Sequence, residues 1–310
     1  TATATPRVQR DITSALGLRD PLELVASFDR PNLFLEVRRK EETLSQLLDF
    51  VRAHGGESGI VYCFSRARAE AVAERLASKG VSARAYHAGL SDEERSRNQD
   101  AFISGEVDVI AATTAFGMGI DKPDVRFVVH VDLPKSIEEY YQEIGRAGRD
   151  GLPARCLLFY GYGDVRKIQS LLSEKEGTEA EAADAALKAM VRYAESTVCR
   201  RIPLLAHFGE ARSGEPCGSC DNCASRAGGE LSPGAEARRE EDLTEEAYKF
   251  LSCVKRTGER YGATHVIDVL RGSKNERVHA LGHDLISTYG IGSAWDASQW
   301  LDLSRQLAVK

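Results

Sequence analysis

Residues 40–172 alternate between two periodicities, and that alternation limits the fold more than any other feature of the chain. Leu44, Leu47, Leu48 and Val51 recur at helical spacing across residues 40–53. Residues 59–64 are a short apolar, β-branched run. Residues 66–79 return to helical spacing, with Ala69, Val72, Ala73 and Leu76 on one face and Gly80 as the stop. Residues 81–86 read as a strand. Ser91 opens the next helix, Glu94 completes a capping box, and Gly105 ends it. Residues 107–112 and 126–131 read as buried strands, 136–145 as a helix between turn signals, and 154–160 as a further strand. Asp164 starts another helix. Strands separated by helices of about 10–15 residues predict an α/β fold, a parallel sheet covered on both faces. Ligands of such sheets bind beyond the carboxyl ends of the strands. Ser65, Arg66, His87, residues 113–121 and the arginine-containing stretch 142–149 are expected there.

The flanks follow other rules. Residues 1–40 mix Thr, Pro and Arg with two β-like runs, 24–28 and 33–37. Residues 179–197 are Ala-rich and helical, 199–223 contain four cysteines, and 224–242 are rich in Gly, Arg and Glu and read as a solvated linker. Helices are expected at 244–255, 264–271 and 295–307. The predicted organisation is therefore an α/β domain at 1–172, with 1–30 as a junction, then a helical zinc-binding domain at 173–226, a linker at 227–242 and a third domain at 243–310. A chain of 310 residues accommodates two or three domains. Its net charge of −6 gives no global nucleic-acid signature, so any such contact must rest on local basic patches. No apolar run approaches the roughly 18 residues of a membrane span, and no membrane partner is expected. The first residue is not Met and no secretory segment follows it, so the chain reads as a piece of a longer polypeptide.

Cys199 is followed by Cys217, Cys220 and Cys223, the last three separated by two residues each. Four thiolates suit tetrahedral zinc, and closely spaced pairs let one turn supply neighbouring ligands. Gly218, Asp221 and Asn222 are turn formers at the right places. Four protein ligands leave no open position, which predicts a structural site. Cys63, Cys156 and Cys253 lie alone in apolar surroundings and read as core thiols. This distribution fits a reducing compartment better than a disulfide framework.

Gln142 stands four residues ahead of Arg146, which stands three ahead of Arg149, with Gly145 and Gly148 between them. Guanidinium groups fork onto phosphate oxygens. The loop 112–121, with Thr113, Thr114, Gly117, Gly119 and Asp121, follows a buried strand. Its threonines can hydrogen-bond a phosphate and its Asp121 can accept from a ribose hydroxyl. Yet no glycine is followed by lysine, so the chain has no phosphate loop, and it shows no acidic pair to hold magnesium. Two readings follow: the phosphate cradle lies on a preceding domain, or the arginines are structural.

Taken together the motifs resemble the second half of a superfamily-two helicase core, specifically that of the RecQ family of DNA helicases. Residues 1–5 resemble the threonine-alanine-threonine motif that ends the first RecA-like domain. Residues 27–32 (Ser-Phe-Asp-Arg-Pro-Asn) resemble a family signature, and 60–66 resemble motif IV apart from Phe64. Residues 86–90 also match, 112–125 resemble motif V, and 140–151 resemble motif VI. Residues 243–310 resemble the family's winged-helix region, ending before any wing hairpin. The resemblance implies an ATP-dependent, three-prime to five-prime DNA helicase of replication, recombination and repair, needing ATP, magnesium and structural zinc. Arg146 and Arg149 would reach ATP phosphates across a cleft that Gln142 helps to set. Asp121 and Gly119 would lie at the nucleotide, and Ser65, Arg66, His87 and Thr113 at the DNA backbone. Cys199, Cys217, Cys220 and Cys223 would ligate zinc. The partners implied are single-stranded and junction DNA and a first RecA-like domain absent from this chain. The location implied is the bacterial cytoplasm, or a nucleus in a eukaryote. Residues 1–310 alone are expected to have negligible ATPase activity, and both arginines to lie exposed and unliganded at the sheet edge. The alternative is a non-enzymatic DNA-binding module, with zinc and winged helix on an α/β scaffold. There Arg192, Arg200, Arg201, Lys255, Arg256 and Arg260 would supply the basic surface.

Overall fold

The computed structural model describes residues 3–17, 19–116, 121–173, 176–227 and 242–309. It divides into two compact units, Thr1–Arg238 and Arg239–Lys310.

The first unit is built on six parallel strands: β1 (Leu33–Arg39), β2 (Ser58–Tyr62), β3 (Ala83–Tyr86), β4 (Val109–Ala112), β5 (Val125–His130) and β6 (Ala154–Tyr160). Their order across the sheet is β1-β6-β5-β2-β4-β3. Each expected strand of the alternating region forms, with ends shifted by up to two residues. Between them run α2 (Thr43–Ala53), α3 (Arg66–Ala77), α4 (Asp92–Ser104), α5 (Ile137–Ile144) and, after β6, α6 (Tyr162–Leu172). Local chemistry sets these ends. The Ser65 side chain accepts from Arg68 N–H to start α3, and Ser91 with Glu94 makes the full capping box of α4. Alternate strand residues point to opposite faces. Val61, Val109, Phe127, Val129, Leu157 and Phe159 pack on one side against Leu47, Leu48, Phe50 and Val51 of α2 and Val72 and Leu76 of α3. On the other side Tyr62 stacks on His130, His130 meets Tyr140 of α5, and Tyr140 meets Tyr193 of α7 (Gly177–Glu195). Both faces of the parallel sheet are thus covered.

Three departures from the expected elements have plain causes. Residues 24–28 form no strand. Leu24 and Val25 are exposed and no neighbouring strand offers them hydrogen bonds, so the apolar run alone does not make a sheet. Residues Pro6–Ala15 form a helix, α1, which starts on proline and buries none of its side chains; its apolar positions, Val8 and Ile12, are few and exposed. After α7 come two short helices, α8 (Arg201–His207) and α9 (Asp221–Arg226), whose lengths are too small for periodicity to show.

The second unit contains α10 (Thr244–Arg256), α11 (Ala263–Leu270), α12 (Glu276–Ala280) and α13 (Ala297–Val309), with no strand among its described residues. Its own core joins Phe250, Cys253, Val266, Val269, Leu270, Val278, Trp300 and Leu303. Among the described residues no helix is long and apolar enough to cross a membrane.

Candidate functional site

The four cysteines converge. Cys199 follows α7, Cys217 and Cys220 lie on a turn in which Gly218 takes a φ of +68°, and Cys223 is on α9. Their Sγ atoms all lie within 4.8 Å of one another. Four thiolates about a zinc ion at 2.3 Å would stand about 3.8 Å apart, so the cluster closes on the metal with small adjustments. The surroundings favour the thiolate at Cys217, while the contact with Cys217 pushes Cys220 up and burial pushes Cys199 up. Cys217 N–H donates to Cys223 Sγ at 3.4 Å, and Ser219 N–H to Cys217 Sγ at 3.4 Å. Arg201 Nη1 lies 3.5 Å from Cys217 Sγ. Cys217 is held far below the ordinary thiol range, at about 4, chiefly because the Cys220 thiol donates to it, which outweighs its burial.

Two neighbouring arginines tie this cluster to the sheet. Arg200 is fully buried, with Nε 2.8 Å from Asp221 Oδ1 and Nη2 2.9 Å from Asp221 Oδ2. It also donates to the carbonyls of Tyr193 and Ala194 at the end of α7. Burial works against its charge, but Asp221 overrides that and holds its proton more tightly than usual. Asp221 Oδ2 accepts from Val37 N–H of β1 at 3.0 Å, and Leu35 N–H donates to Ser219 O at 3.1 Å. Arg201, only 2% exposed, bonds Asp29, Arg30 O, Leu33 O and Ser219 O. Neither side chain is available to DNA, which corrects their expected place on a basic surface. Both residues are consumed because an interior guanidinium needs every donor matched. Arg192, Lys255, Arg256 and Arg260 are exposed.

The arginine-containing stretch divides between the two edges of the sheet: Gln142 and Arg146 lie, as expected, with residues that follow β4 and β5, whereas the turn carrying Arg149 does not. A crossover helix returns the chain to the amino ends of the strands. The turn after α5 is therefore at the start of β5 and β6: Gly148 N–H donates to Val125 O at 2.9 Å, and Ala154 N–H to Asn32 O at 3.0 Å. Arg149 is exposed, and its Nη1 pairs with Asp121 Oδ1 at 2.8 Å. The side chains of this pair are 36% and 88% exposed, so it is worth no more than about 1 kcal/mol and yields readily to another anion. Arg146 is half-buried rather than exposed, because its guanidinium sits by the buried Tyr62 hydroxyl. Tyr62 donates to Phe116 O at 3.0 Å, which links Arg146 to the loop after β4. Burial, helped by the nearby Glu143 charge, drives the Tyr62 hydroxyl far above its ordinary pKa, so it stays a neutral donor. Gln142 Nε2 donates to Thr3 Oγ1 at 2.8 Å, joining the arginine segment to the first described residues. Gln142 and Arg146 line an open cleft of about 430 Å³ with Thr114, Phe116, Lys135, Ser136, Glu139 and Glu143. Its lining is polar and mixed in charge, Lys135 and Arg146 against Glu139 and Glu143, with the exposed Arg149 beyond it.

Comparison with known proteins reads the same way. The chain matches the helicase conserved C-terminal domain over residues 39–151, the RecQ zinc-binding domain over 162–224 and the RQC domain over 237–310. A Pasteurella multocida protein named ATP-dependent DNA helicase RecQ is 44% identical over 308 residues, covering 99% of this chain and 47% of that protein. A Bacillus subtilis protein of the same name is 40% identical over 292 residues, covering 94% of this chain and 47% of its own length. The chain belongs to the RecQ family of helicases. The zinc-binding match spans all four cysteines, and their cluster supports a structural zinc in this RecQ-family chain. The chain spans about half the length of the curated relatives it matches. A looser likeness is to the solved structure of S. cerevisiae Dbp5 bound to RNA and ADP BeF3, with a TM-score of 0.47 and 23% identity over 60% of this chain and 54% of that one.

The remaining candidates of the RecQ-family reading fall into two groups. Ser65 and Arg66 follow β2 and Thr113 follows β4, so they share the carboxyl edge of the sheet, with Arg66 exposed. His87 follows β3 but is 2% exposed, with Nε2 2.9 Å from Glu70 and Nδ1 accepting from Gly89 N–H. It packs the loop and presents no side chain to DNA, a correction to its expected role. Gly119 lies outside the described residues. Sequence reasoning missed Arg30, Asn32, Tyr62 and Glu143 at this site. For the first two a signal existed in the signature at 27–32, but not their targets.

Proposed function

We propose that this chain is the second RecA-like, zinc-binding and winged-helix part of an ATP-dependent DNA helicase. In it Arg146 and Arg149 reach the phosphates of ATP bound mainly by a preceding RecA-like domain. The observation that carries the reading is a pair of arginines with no phosphate loop: Arg146 lines an open cleft, Arg149 stands exposed beyond it, and no glycine in the chain precedes a lysine. Phosphoryl transfer needs positioning and charge neutralisation more than covalent chemistry. The preceding domain would supply the phosphate loop and the magnesium ligand, and this chain the charge. Arg149 would exchange Asp121 for a phosphate, leaving that carboxylate beside the nucleotide. Gln142, bonded to Thr3, would couple the cleft to the chain that leads in from the preceding domain. Single-stranded DNA would run along the carboxyl edge, past Ser65, Arg66 and Thr113. Opening and closing of the cleft during hydrolysis would move it, in the three-prime to five-prime sense the family resemblance implies.

The test is DNA-stimulated ATP hydrolysis by the full-length protein. Arg146→Ala and Arg149→Ala should each lower kcat by about 10³-fold or more, the scale of an arginine supplied across an interface, while leaving single-stranded DNA binding within a few fold. Turnover close to the parent in both variants would refute the assignment.

A further inference from the structure

The turn that carries Arg149 has no regular structure of its own. Backbone bonds to Val125 and Pro123 and the Arg126–Asp150 pair hold its outer side, and two side chains just before β1 hold its carbonyls. Arg30 Nη2 donates to Ala147 O at 3.1 Å and Gly148 O at 2.9 Å. Asn32 Nδ2 donates to Gly148 O at 2.9 Å and Leu152 O at 3.0 Å. Four hydrogen bonds thus hold three backbone carbonyls, those of Ala147, Gly148 and Leu152, on either side of the arginine. Gly148 takes a φ of +55°, and a Cβ there would stand 2.5 Å from Asn32 Nδ2. Asn32 occupies space that only a glycine leaves.

Arg30 is itself held. Leu33 N–H donates to Arg30 O at 3.0 Å. Arg201 Nη2 donates to Arg30 O and to Leu33 O, both at 2.8 Å, and Arg201 Nε bonds Asp29 at 2.8 Å. The same Arg201 bonds Ser219 O at 3.0 Å and approaches Cys217 Sγ. A continuous path of charge-assisted hydrogen bonds therefore runs from the zinc loop through Arg201 and Arg30 to the backbone beside Arg149. Arg30 is half-buried and its guanidinium is engaged by main-chain carbonyls, a contact that fixes backbone geometry.

We propose that Arg30 and Asn32 are positioning residues for ATP hydrolysis: they set the 147–152 turn so that Arg149 projects to the nucleotide, with Arg201 anchoring Arg30 to the zinc loop. The proposal rests on the reading of Arg149 given above. A catalytic group displaced by about 1 Å can lose about a hundredfold in rate. Removing a clamp therefore acts on kcat without removing any group that touches ATP.

The experiment compares Arg30→Ala, Arg30→Lys and Asn32→Ala in the full-length protein with and without Arg149→Ala. Zinc content and thermal midpoint are recorded for each. Arg30→Ala and Asn32→Ala should lower kcat about tenfold to a hundredfold with KM for ATP within about twofold and zinc retained. Arg30→Lys, which keeps the charge but reaches a single carbonyl, should recover part of the loss. On the Arg149→Ala background neither substitution should lower kcat by more than about twofold further, because the group they position is gone. Losses that multiply on that background, or single variants with parental kcat, overturn the proposal while leaving the role of Arg149 intact. Parental kcat in Arg149→Ala alone overturns the reading of Arg149 and this proposal with it.

Discussion

Arg200→Met is the substitution whose cost the structure specifies best. The guanidinium is fully buried and makes a two-point contact with Asp221 at 2.8 and 2.9 Å. Its removal leaves a carboxylate that is only 7% exposed without its counter-charge. It also strips donors from Tyr193 O and Ala194 O. Breaking a buried pair from one side typically costs about 3–5 kcal/mol. Asp221 keeps the N–H groups of Val37 and Asn222, which places the expected loss near the lower end, about 3 kcal/mol. With a urea m-value of about 2–3 kcal/mol/M, the unfolding midpoint of the first unit should fall by about 1 M or more. Urea unfolding followed by zinc release to a colorimetric chelator reports that unit directly, since Cys220 adjoins Asp221. The partner substitution separates charge from shape. Arg200→Met with Asp221→Leu should be more stable than Arg200→Met alone, because the stranded charge is gone. A single-variant loss under about 1 kcal/mol, the worth of an exposed pair, would refute the reasoning.

Other outcomes follow from the same geometry. Gly148→Ala forces a left-handed backbone on a residue with a side chain, against Asn32 and the Leu152 carbonyl, and should cost about 1–3 kcal/mol by urea midpoint. Metal analysis should find about one zinc per chain in the purified protein, and Cys220→Ser should lose most of it together with much of the first unit's stability. Glu138 has its pKa lowered to about 2, first by the hydrogen bond to His207 and against its partial burial. A carboxylate depressed in the folded state stabilises above its unfolded value, near 4.5, and that contribution disappears as pH falls toward about 2. The difference in thermal midpoint between the parent and Glu138→Gln should therefore shrink across that window; a difference independent of pH would contradict the ion pair.

What could be read in advance divides by distance along the chain. Helix ends written in neighbouring residues, such as Ser91 with Glu94 and the stop at Gly105, were legible because both partners lie within one turn. The strands of the sheet were legible because burial on both faces leaves continuous apolar runs. The zinc ligands were legible because thiol spacing is itself the chemistry. Arg200 and Arg201 were not: beside a cysteine, an arginine that will be buried and one that will face solvent look alike, and Asp221 and Arg30 are far off in sequence. The same holds for Arg30 and Asn32, whose targets lie more than a hundred residues downstream. His87 shows the converse error, since a polar residue in a motif invites a ligand while its burial against Glu70 is invisible. Of the arginine-containing stretch, only the turn with Arg149 was placed at the wrong end of the strands, because helix length, not residue type, decides where a crossover delivers its last residue.

The contact between β1 and the zinc turn has one more consequence. β1 is an outer strand of the sheet, and its free side is matched by Ser219 and Asp221, which take the Leu35 and Val37 N–H groups. An outer strand left open is a template for a foreign strand, and proteins guard against that by covering it. Here the guard is a loop whose shape depends on a metal. Chelation would then do more than loosen the zinc subdomain. It would unmask a seven-residue strand, Leu33–Arg39, in an otherwise folded sheet, and the species that accumulates should self-associate. Demetallated protein should therefore become turbid at concentrations where the zinc-bound form stays clear, well before the rest of the sheet unfolds.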